Sequence, residues 1–426
     1  MLRLGYDAAG QLARVLSAVA PAGESKLLLA LRARRGIRAR YAEWSAAHRD
    51  RSRPLLWMHA PSVGEGLQAR PVLQIARAQR PDLQLAYTHF SPSALSFARG
   101  LDVDFTDYLP FDTSGEAGVA LDALSPNALV FSKVDVWPTL ARVAAARGVG
   151  LGMISATLAE SSSRRGGFAA QLLADAYARL DVVGAIDARD AERLVSLGVR
   201  RDRISVTGDT RYDQVWARVH AVNRQAGWVA ALTSDRPTLV AGSTWPTDEA
   251  PLLAAWTRAR TQVPDARLII APHEPTESHL KPIEQWASHA RLSAARLGAA
   301  GFTQADVVLV DRVGVLGDLY ALADVAYVGG GFHSAGLHSV LEPAAFGVPV
   351  LFGPRFANSR DAGLLIDNGG GASESSESAI ESRLRTWLSD SRARTQAGNA
   401  ARDLVQGGLG AAERSWRLVS ELLDRR

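Results

Sequence analysis

Cysteine is absent from all 426 residues, which excludes disulfides, thiolate metal sites and cysteine nucleophiles and is compatible with a reducing compartment. No apolar run reaches the ~18 residues needed to cross a bilayer, and the amino end lacks the basic start, apolar core and small-residue cleavage site of a signal peptide. The expected address is therefore the cytoplasm. A surplus of one charge is also missing: 48 Lys and Arg stand against 44 Asp and Glu, a net +4, so no nucleic-acid partner is expected. There is no Walker A sequence, and no glycine fingerprint opens the first strand–helix unit, which argues against a P-loop NTPase or a simple dehydrogenase.

What is present has the make-up of an ordinary globular protein, 47% apolar and 22% charged, long enough for two domains of ~200 residues each. From Leu55 onward short apolar runs alternate with amphipathic stretches, the rhythm of an open parallel α/β sheet. Strands are expected at 55–60, 83–89, 128–132, 150–155, 182–186 and 204–208, and a second series at 238–242, 267–271, 307–310, 325–329 and 348–352. The expected fold is thus α/β with two Rossmann-like doubly wound domains facing a central cleft. Its parts are amphipathic helices over 1–50, a first domain over 51–215, a second over 216–400, and a carboxyl-terminal helix, 401–426, packing at their joint.

Ligands of open α/β sheets bind outside the carboxyl ends of the strands, so residues just past each predicted strand are the candidates. On the first domain these are Ser62, Gly64 and Glu65, then Ser91, then Lys133 and Asp135 before Trp137-Pro138, and Arg164 with Arg165 further on. Gly64 and Gly66 would let the backbone lift Glu65 toward a ligand; the plainer reading makes Glu65 a first-turn helix acid. On the second domain they are Ser243, Thr244, His273, the run Gly329 to Gly331, and Ser339 with Glu342. A triple glycine after a strand admits a phosphate, or else serves tight packing. A helix beginning near Leu337 would put Glu342 about one and a half turns in, where a carboxylate can accept both hydroxyls of a ribose.

The ordered set Ser62-Val63-Gly64-Glu65, Asp135-Val136-Trp137-Pro138, Gly208-Asp209-Thr210-Arg211-Tyr212-Asp213, His338-Ser339-Val340-Leu341-Glu342-Pro343, Gly353-Pro354 and Asn358 resembles the Kdo transferases. These lipopolysaccharide enzymes move 3-deoxy-D-manno-octulosonic acid (Kdo) from CMP-Kdo to a lipid A precursor. The resemblance implies a GT-B glycosyltransferase with acceptor residues Ser62, Gly64, Ser91 and Lys133 on the first domain. It implies donor residues Ser243, Thr244, His273, Gly330, Gly331, Ser339, Glu342 and Arg211, the last standing where the family has a lysine. The family's base falls on Glu65 and a second acid on Asp135, which is one methylene shorter and one residue nearer the Trp-Pro pair than the family's glutamate. Two departures stand out: Ser339 replaces an asparagine, and in Ala271-Pro272-His273-Glu274 the family's arginine is missing and only His273 can be matched.

The implied mechanism is inverting transfer, with Glu65 taking the proton of the attacking hydroxyl and CMP leaving from the opposite face. CMP is a good leaving group, so neither a metal nor a cofactor is expected. Partial burial against Trp57 is the expected way to keep Glu65 basic, and Asp135 either orients the acceptor or caps the helix after Trp137. A lipid acceptor would bring the protein to the cytoplasmic face of the inner membrane as a peripheral protein. The amino-terminal stretch suits this, with Leu2, Leu4, Leu12, Val15, Leu16 and Val19 near helical spacing and Arg32, Arg34, Arg35, Arg38 and Arg40 behind them. The alternative is a helix packed on the protein with a solvated basic face. Rival functions are a GT-B transferase or epimerase using a UDP-sugar, and a non-catalytic membrane-surface scaffold.

Overall fold

A computed structural model describes residues 2–424 apart from Glu24, Glu160, Ser161, Ser163, Arg165 and Ala226; Arg165, paired above with Arg164, is thus outside the described residues, as are the side chains of Leu2 and Leu4. The chain divides into two compact units, Met1–Gln214 with Leu409–Arg426, and Val215–Gly408. Each is a seven-stranded sheet in which every neighbouring pair runs parallel.

The first unit has strands β1 (Leu55–His59), β2 (Gln84–His89), β3 (Phe105–Tyr108), β4 (Ala128–Ser132), β5 (Gly150–Ala156), β6 (Val182–Ala185) and β7 (Ile204–Val206), ordered β3-β2-β1-β4-β5-β6-β7. Every residue of β1, β2 and β4 is buried, because helices cover both faces and a parallel strand has no wet side. That is why these strands read as continuous apolar runs. Strand β3 escaped the sequence reading because its four residues, Phe-Thr-Asp-Tyr, lie at an edge with two adjacent polar residues, Thr106 and Asp107, only partly buried.

The second unit has β8 (Thr238–Thr244), β9 (Arg267–Pro272), β10 (Ala294–Arg296), β11 (Val307–Leu309), β12 (Val325–Val328), β13 (Val350–Phe352) and β14 (Gly371–Ser373), ordered β10-β11-β9-β8-β12-β13-β14. The two edge strands, β10 and β14, were also missed. Each has three residues of which one at most is fully buried, too short and too polar for a periodic signal.

Both sheets wind outward in two directions from a central pair of strands. Strand order reverses between β1 and β4 in the first unit and between β8 and β12 in the second. At such a switch point the loops leave in opposite directions and open a crevice at the carboxyl ends.

The carboxyl-terminal helix Ala411–Leu423 belongs to the first unit. Trp416, Val419, Leu422 and Leu423 are buried with Val130, Ile154 and Val182 of the sheet. Its start is held by Asp213, whose carboxylate accepts the N–H of Gly410 at 2.8 Å and of Ala412 at 2.9 Å.

At the amino end, helices Leu2–Val19, Lys26–Ala33 and Ile37–His48 pack on the first unit largely through arginines. Arg34 is buried, donating to the carbonyls of Leu109 (2.8 Å), Ala30 (2.9 Å) and Phe90 (3.2 Å), with its guanidinium 4.1 Å above the Phe90 ring. Arg40 grips Asp107 through two bonds of 2.7 and 2.9 Å, Arg38 pairs with Glu116, and Arg35 donates to the carbonyls of Ser17 and Ala20. The arginine cluster therefore serves mainly to dock these helices, and of the five only Arg32 is left as an exposed cation without such a bond. The apolar side chains are different: Leu12, Val15, Leu16, Val19 and Leu27 are 45–72% exposed.

The helix after β1 spans Val63–Gln79. Gly64 and Gly66 lie inside it, and neither has a positive φ. The expected role in lifting Glu65 through special backbone geometry is therefore replaced by a spatial one. A Cβ on Gly66 would sit 2.4 Å from Phe97 and 2.6 Å from the Tyr87 hydroxyl, whereas one on Gly64 meets nothing closer than 3.7 Å. Gly66→Ala should cost about 1–3 kcal/mol through overpacking. Gly64→Ala should gain about 0.5–1 kcal/mol from helix propensity. Urea unfolding of the two variants beside the wild type checks the opposite signs.

Candidate functional site

In the first unit the candidate side chains gather at the switch point between β1 and β4. Glu65 sits in the first turn of Val63–Gln79, so its local position is that of the plain first-turn acid, but its surroundings are not plain. Its carboxylate accepts from the Ser62 hydroxyl and lies 3.7 Å from the Lys133 ammonium, and the Ser132 hydroxyl donates to its backbone carbonyl at 2.9 Å. The side chain is 20% exposed. Trp57, expected to shield it, is instead fully buried in the core with its indole N–H donating to Thr88 at 2.8 Å.

Lys133 follows β4 with φ at +63°, the left-handed region that a lysine occupies at a cost of about 1–2 kcal/mol. Ser155 at the end of β5 (φ +48°) and Ser243 near the end of β8 (φ +55°) share this geometry. All three are at carboxyl ends of strands, where stored strain often accompanies function.

Asp135 is partly buried and bonded to Arg164 at 3.0 Å. Burial pushes its carboxyl above the ordinary value, the Arg164 charge opposes that, and Glu65 adds to it. The helix Pro138–Ala146 after Trp137 is capped by Asp112, which accepts the N–H of Thr139 at 2.9 Å and of Leu140 at 2.7 Å. Capping thus does not account for Asp135. Ser91 pairs with Ser93 at 2.8 Å and is turned back on the β1 loop by its N–H, 2.8 Å from the Pro61 carbonyl.

Beneath these residues runs a chain of buried polar groups that the sequence did not announce. Trp137 donates its indole N–H to Nε2 of His59 at 3.0 Å, and Nδ1 of His59 is 3.0 Å from the Thr88 hydroxyl. Because Nε2 accepts, His59 is neutral with its proton on Nδ1. Burial drives its pKa from 6.5 down to about 3. Trp137 in turn stacks on Phe90, centroids 5.0 Å apart. The chain links β1, β2 and the loops carrying Ser91 and Asp135.

In the second unit the residues gather between β8 and β12. Asp248, fully buried in the first turn of Pro246–Arg260, accepts the N–H of Gly330 at 2.8 Å, of Phe332 at 2.9 Å and of Trp245 at 3.0 Å. The glycines serve packing. A Cβ on Gly329 would meet the Ser243 carbonyl at 2.2 Å and one on Gly331 the Gly353 N at 2.4 Å, while Gly330 has φ +92°. Thr244 is buried and donates to Glu249 at 2.8 Å. Asn358 pins the next loop by a two-way bond to Leu337, N–H accepted at 3.0 Å and carbonyl reached at 2.9 Å.

The helix after that loop spans Leu341–Ala345, so Glu342 lies in its first turn and not one and a half turns into a helix from Leu337. Residues 337–340 stay outside the helix, where Asn358 already holds both backbone groups of Leu337. Burial raises the Glu342 carboxyl above its ordinary value, Arg218 opposes this and Asp318 adds to it. Ser339 is exposed beside it.

Trp245, 4.3 Å from His333 and 4.6 Å from His273, makes a stack of rings that includes two residues the sequence reading did not select. Arg211, expected at the donor, belongs to the first unit, where it pairs with Asp209 at 2.6 Å. Among the described residues no group of acidic, histidine or cysteine side chains has the arrangement of a metal site.

Residues 33–214 match the family described as 3-deoxy-D-manno-octulosonic-acid transferase (kdotransferase). The transferase of that name from Haemophilus influenzae is 24% identical over 374 residues, 87% of each chain, and that from Bordetella pertussis 29% over 380 residues, 86% of this chain and 87% of its own. Along most of its length the chain is similar to the Kdo transferases. Among solved structures, UDP-GlcNAc 2-epimerase from Neisseria meningitidis, bound to UDP-GlcNAc, superposes with a TM-score of 0.64 at 13% identity, covering 87% of this chain and all of that one. That likeness concerns the fold alone, two doubly wound units of GT-B type.

His59, Trp245, His333 and Asp248 had one usable signal between them: polar or aromatic residues inside or just after a predicted buried strand. The depressed pKa of His59 sets a pH dependence. Below 6.5 the unfolded chain binds a proton that the folded chain refuses until about pH 3, so stability falls as pH falls through that window. Between pH 7 and pH 5 the wild type should lose about 2 kcal/mol more than His59→Gln, whatever the variant's absolute stability. Thermal or urea unfolding at the two pH values measures this difference.

Proposed function

We propose that this chain is an inverting glycosyltransferase that moves Kdo from CMP-Kdo to a lipid A precursor in lipopolysaccharide biosynthesis. The observation that carries the reading is the similarity to Kdo transferases along most of the chain together with Glu65, a carboxylate at the first switch point with a hydroxyl and an ammonium on its two oxygens. The first unit supplies the acceptor chemistry and the second the donor chemistry.

Glu65 takes the proton of the attacking hydroxyl. Ser62 orients its carboxylate, so that one oxygen faces the acceptor rather than sampling rotamers. Lys133 places a positive charge at the same point, suited to the phosphates of the acceptor. Asp135, held by Arg164 and with its carboxyl pushed above its ordinary value by burial, positions a sugar hydroxyl by hydrogen bond. Ser91 and Gly64 border the same crevice.

On the donor side Glu342 accepts the ribose hydroxyls, Ser243 and Ser339 form the rim around the nucleotide, and the buried Thr244, Gly330 and Gly331 shape it by packing. His273 stands where the departing phosphate or the sugar carboxylate needs a positive partner. The test is transfer from CMP-Kdo to a detergent-solubilised lipid A precursor, read by product mass. Wild type should form product, and Glu65→Gln should lose 10²–10⁴-fold of the rate, roughly the worth of a general base. Unchanged transfer by the variant would remove Glu65 from the role.

We further infer a peripheral attachment to the cytoplasmic leaflet. Among the described residues no helix is long and apolar enough to cross a membrane, while Leu12, Leu16 and Val19 on one helix and Leu27 on the next expose more apolar surface than solvent contact alone favours. Since most of the nearby arginines are committed to docking, attachment should depend on apolar burial more than on salt. Leu16→Glu with Val19→Glu should weaken flotation with anionic vesicles by tenfold or more, and raising salt should weaken it far less.

A further inference from the structure

The second unit carries a stack of rings at the carboxyl ends of β8, β9 and β12 for which the family resemblance offers no role beyond His273. His333 lies nearly parallel to Trp245, 7° apart at 4.3 Å. His273 stacks on Trp245 at 4.6 Å and 28°, and on His338 at 4.5 Å and 25°. The protonation pattern can be read from the bonds. Trp245 donates its indole N–H to Nε2 of His338 at 3.2 Å, so that nitrogen carries no proton. His333 accepts the N–H of Ala335 on Nδ1 at 3.2 Å, so its own proton is on Nε2. His273 is exposed, and among the described residues no side chain bonds its imidazole. It is the ring of the stack that is open to take a second proton.

An imidazolium at that place has what a bound anion needs. The Trp245 face attracts a stacked cation, and both neighbouring rings fix the plane of His273 without using its N–H groups. The charges around it are few. Asp248 faces the stack from below but is committed to three backbone N–H groups. Glu249 is held by Thr244, Glu274 follows His273 at the surface, and His279 has its Nδ1 on the Glu274 carbonyl. Arg355 follows β13, its N–H on the Gly331 carbonyl.

We propose that His273 binds the phosphodiester of the donor as an imidazolium stacked on Trp245 and His338, and that donor binding is thereby coupled to proton uptake. Trp245 and His338 are positioning residues in this scheme, and the stack supplies the planar cation that the missing arginine of Ala271-Pro272-His273-Glu274 would otherwise supply. The inference rests on the CMP-sugar reading of the second unit.

The test uses calorimetric titration of the full chain with the methyl ester of cytidine 5′-phosphate, whose single charge does not change between pH 5.5 and 8, and with cytidine. In buffers of different ionisation enthalpy, the ester should bind roughly tenfold tighter at pH 5.5 than at pH 8, an average uptake of about 0.4 proton across that range, and cytidine should show neither effect. His273→Arg, at an exposed position, should flatten the pH dependence while keeping tight binding, and Trp245→Leu should reduce the gain at low pH. Ester binding that is independent of pH in the wild type, or that keeps its pH dependence in His273→Arg, would overturn the proton coupling and leave the donor reading standing. Failure of a folded chain to bind either cytidine compound would overturn both.

Discussion

A polar group carried into the interior of a parallel sheet must find its partner there, since no water is available and an unmet hydrogen bond costs about 1–3 kcal/mol. Both candidate sites are organised by how that requirement is met at the switch points. In the first unit a neutral histidine on β1 joins an indole from the loop after β4 to a hydroxyl on β2. In the second, one buried aspartate gathers three backbone N–H groups from the loops after β8 and β12. These partners hold the loops, and the loops carry the residues that face a ligand.

The same constraint separates positioning from chemistry. Asp112 caps the helix that Asp135 precedes, so Asp135 keeps a carboxylate for Arg164 and for whatever enters the crevice. The amino-terminal arginines satisfy carbonyls and acids of the first unit, so the surface they leave is apolar. The glycines after β12 are needed for contact between backbones, and the N–H groups of Gly330 and Phe332 are bound by Asp248. A phosphate in the second unit would accordingly be met by side chains, which gives weight to the stacked histidines.

Much of the fold was legible because buried parallel strands are written as short apolar runs: eleven of the fourteen were found, with ends a residue or two off. The three missed, β3, β10 and β14, lie at edges, where half-exposure removes the apolar run. Candidates placed just past predicted strands were brought together as Ser62, Glu65, Lys133 and Asp135, because position after a strand is itself a spatial statement. Arg211 lies on the first unit, within the boundaries its place before the second series of strands suggested. The start of the helix holding Glu342 was misjudged because Asn358, twenty-one residues from Leu337, decides it.

The sequence by itself determined the two-sheet α/β class, the family resemblance and the acid most suited to be the base, all of which depend on local pattern and motif order. Strand order was decided only by the tertiary structure, and with it the fact that Glu65 and the Gly329–Gly331 turn stand at the two reversals. So were the neutral state of His59, the strained backbone of Lys133 and the stack that Trp245 forms with His333 and His273 and that His338 continues. Each of these depends on contacts between residues far apart in the chain, and burial, tautomer and ring stacking exist only once those contacts are made.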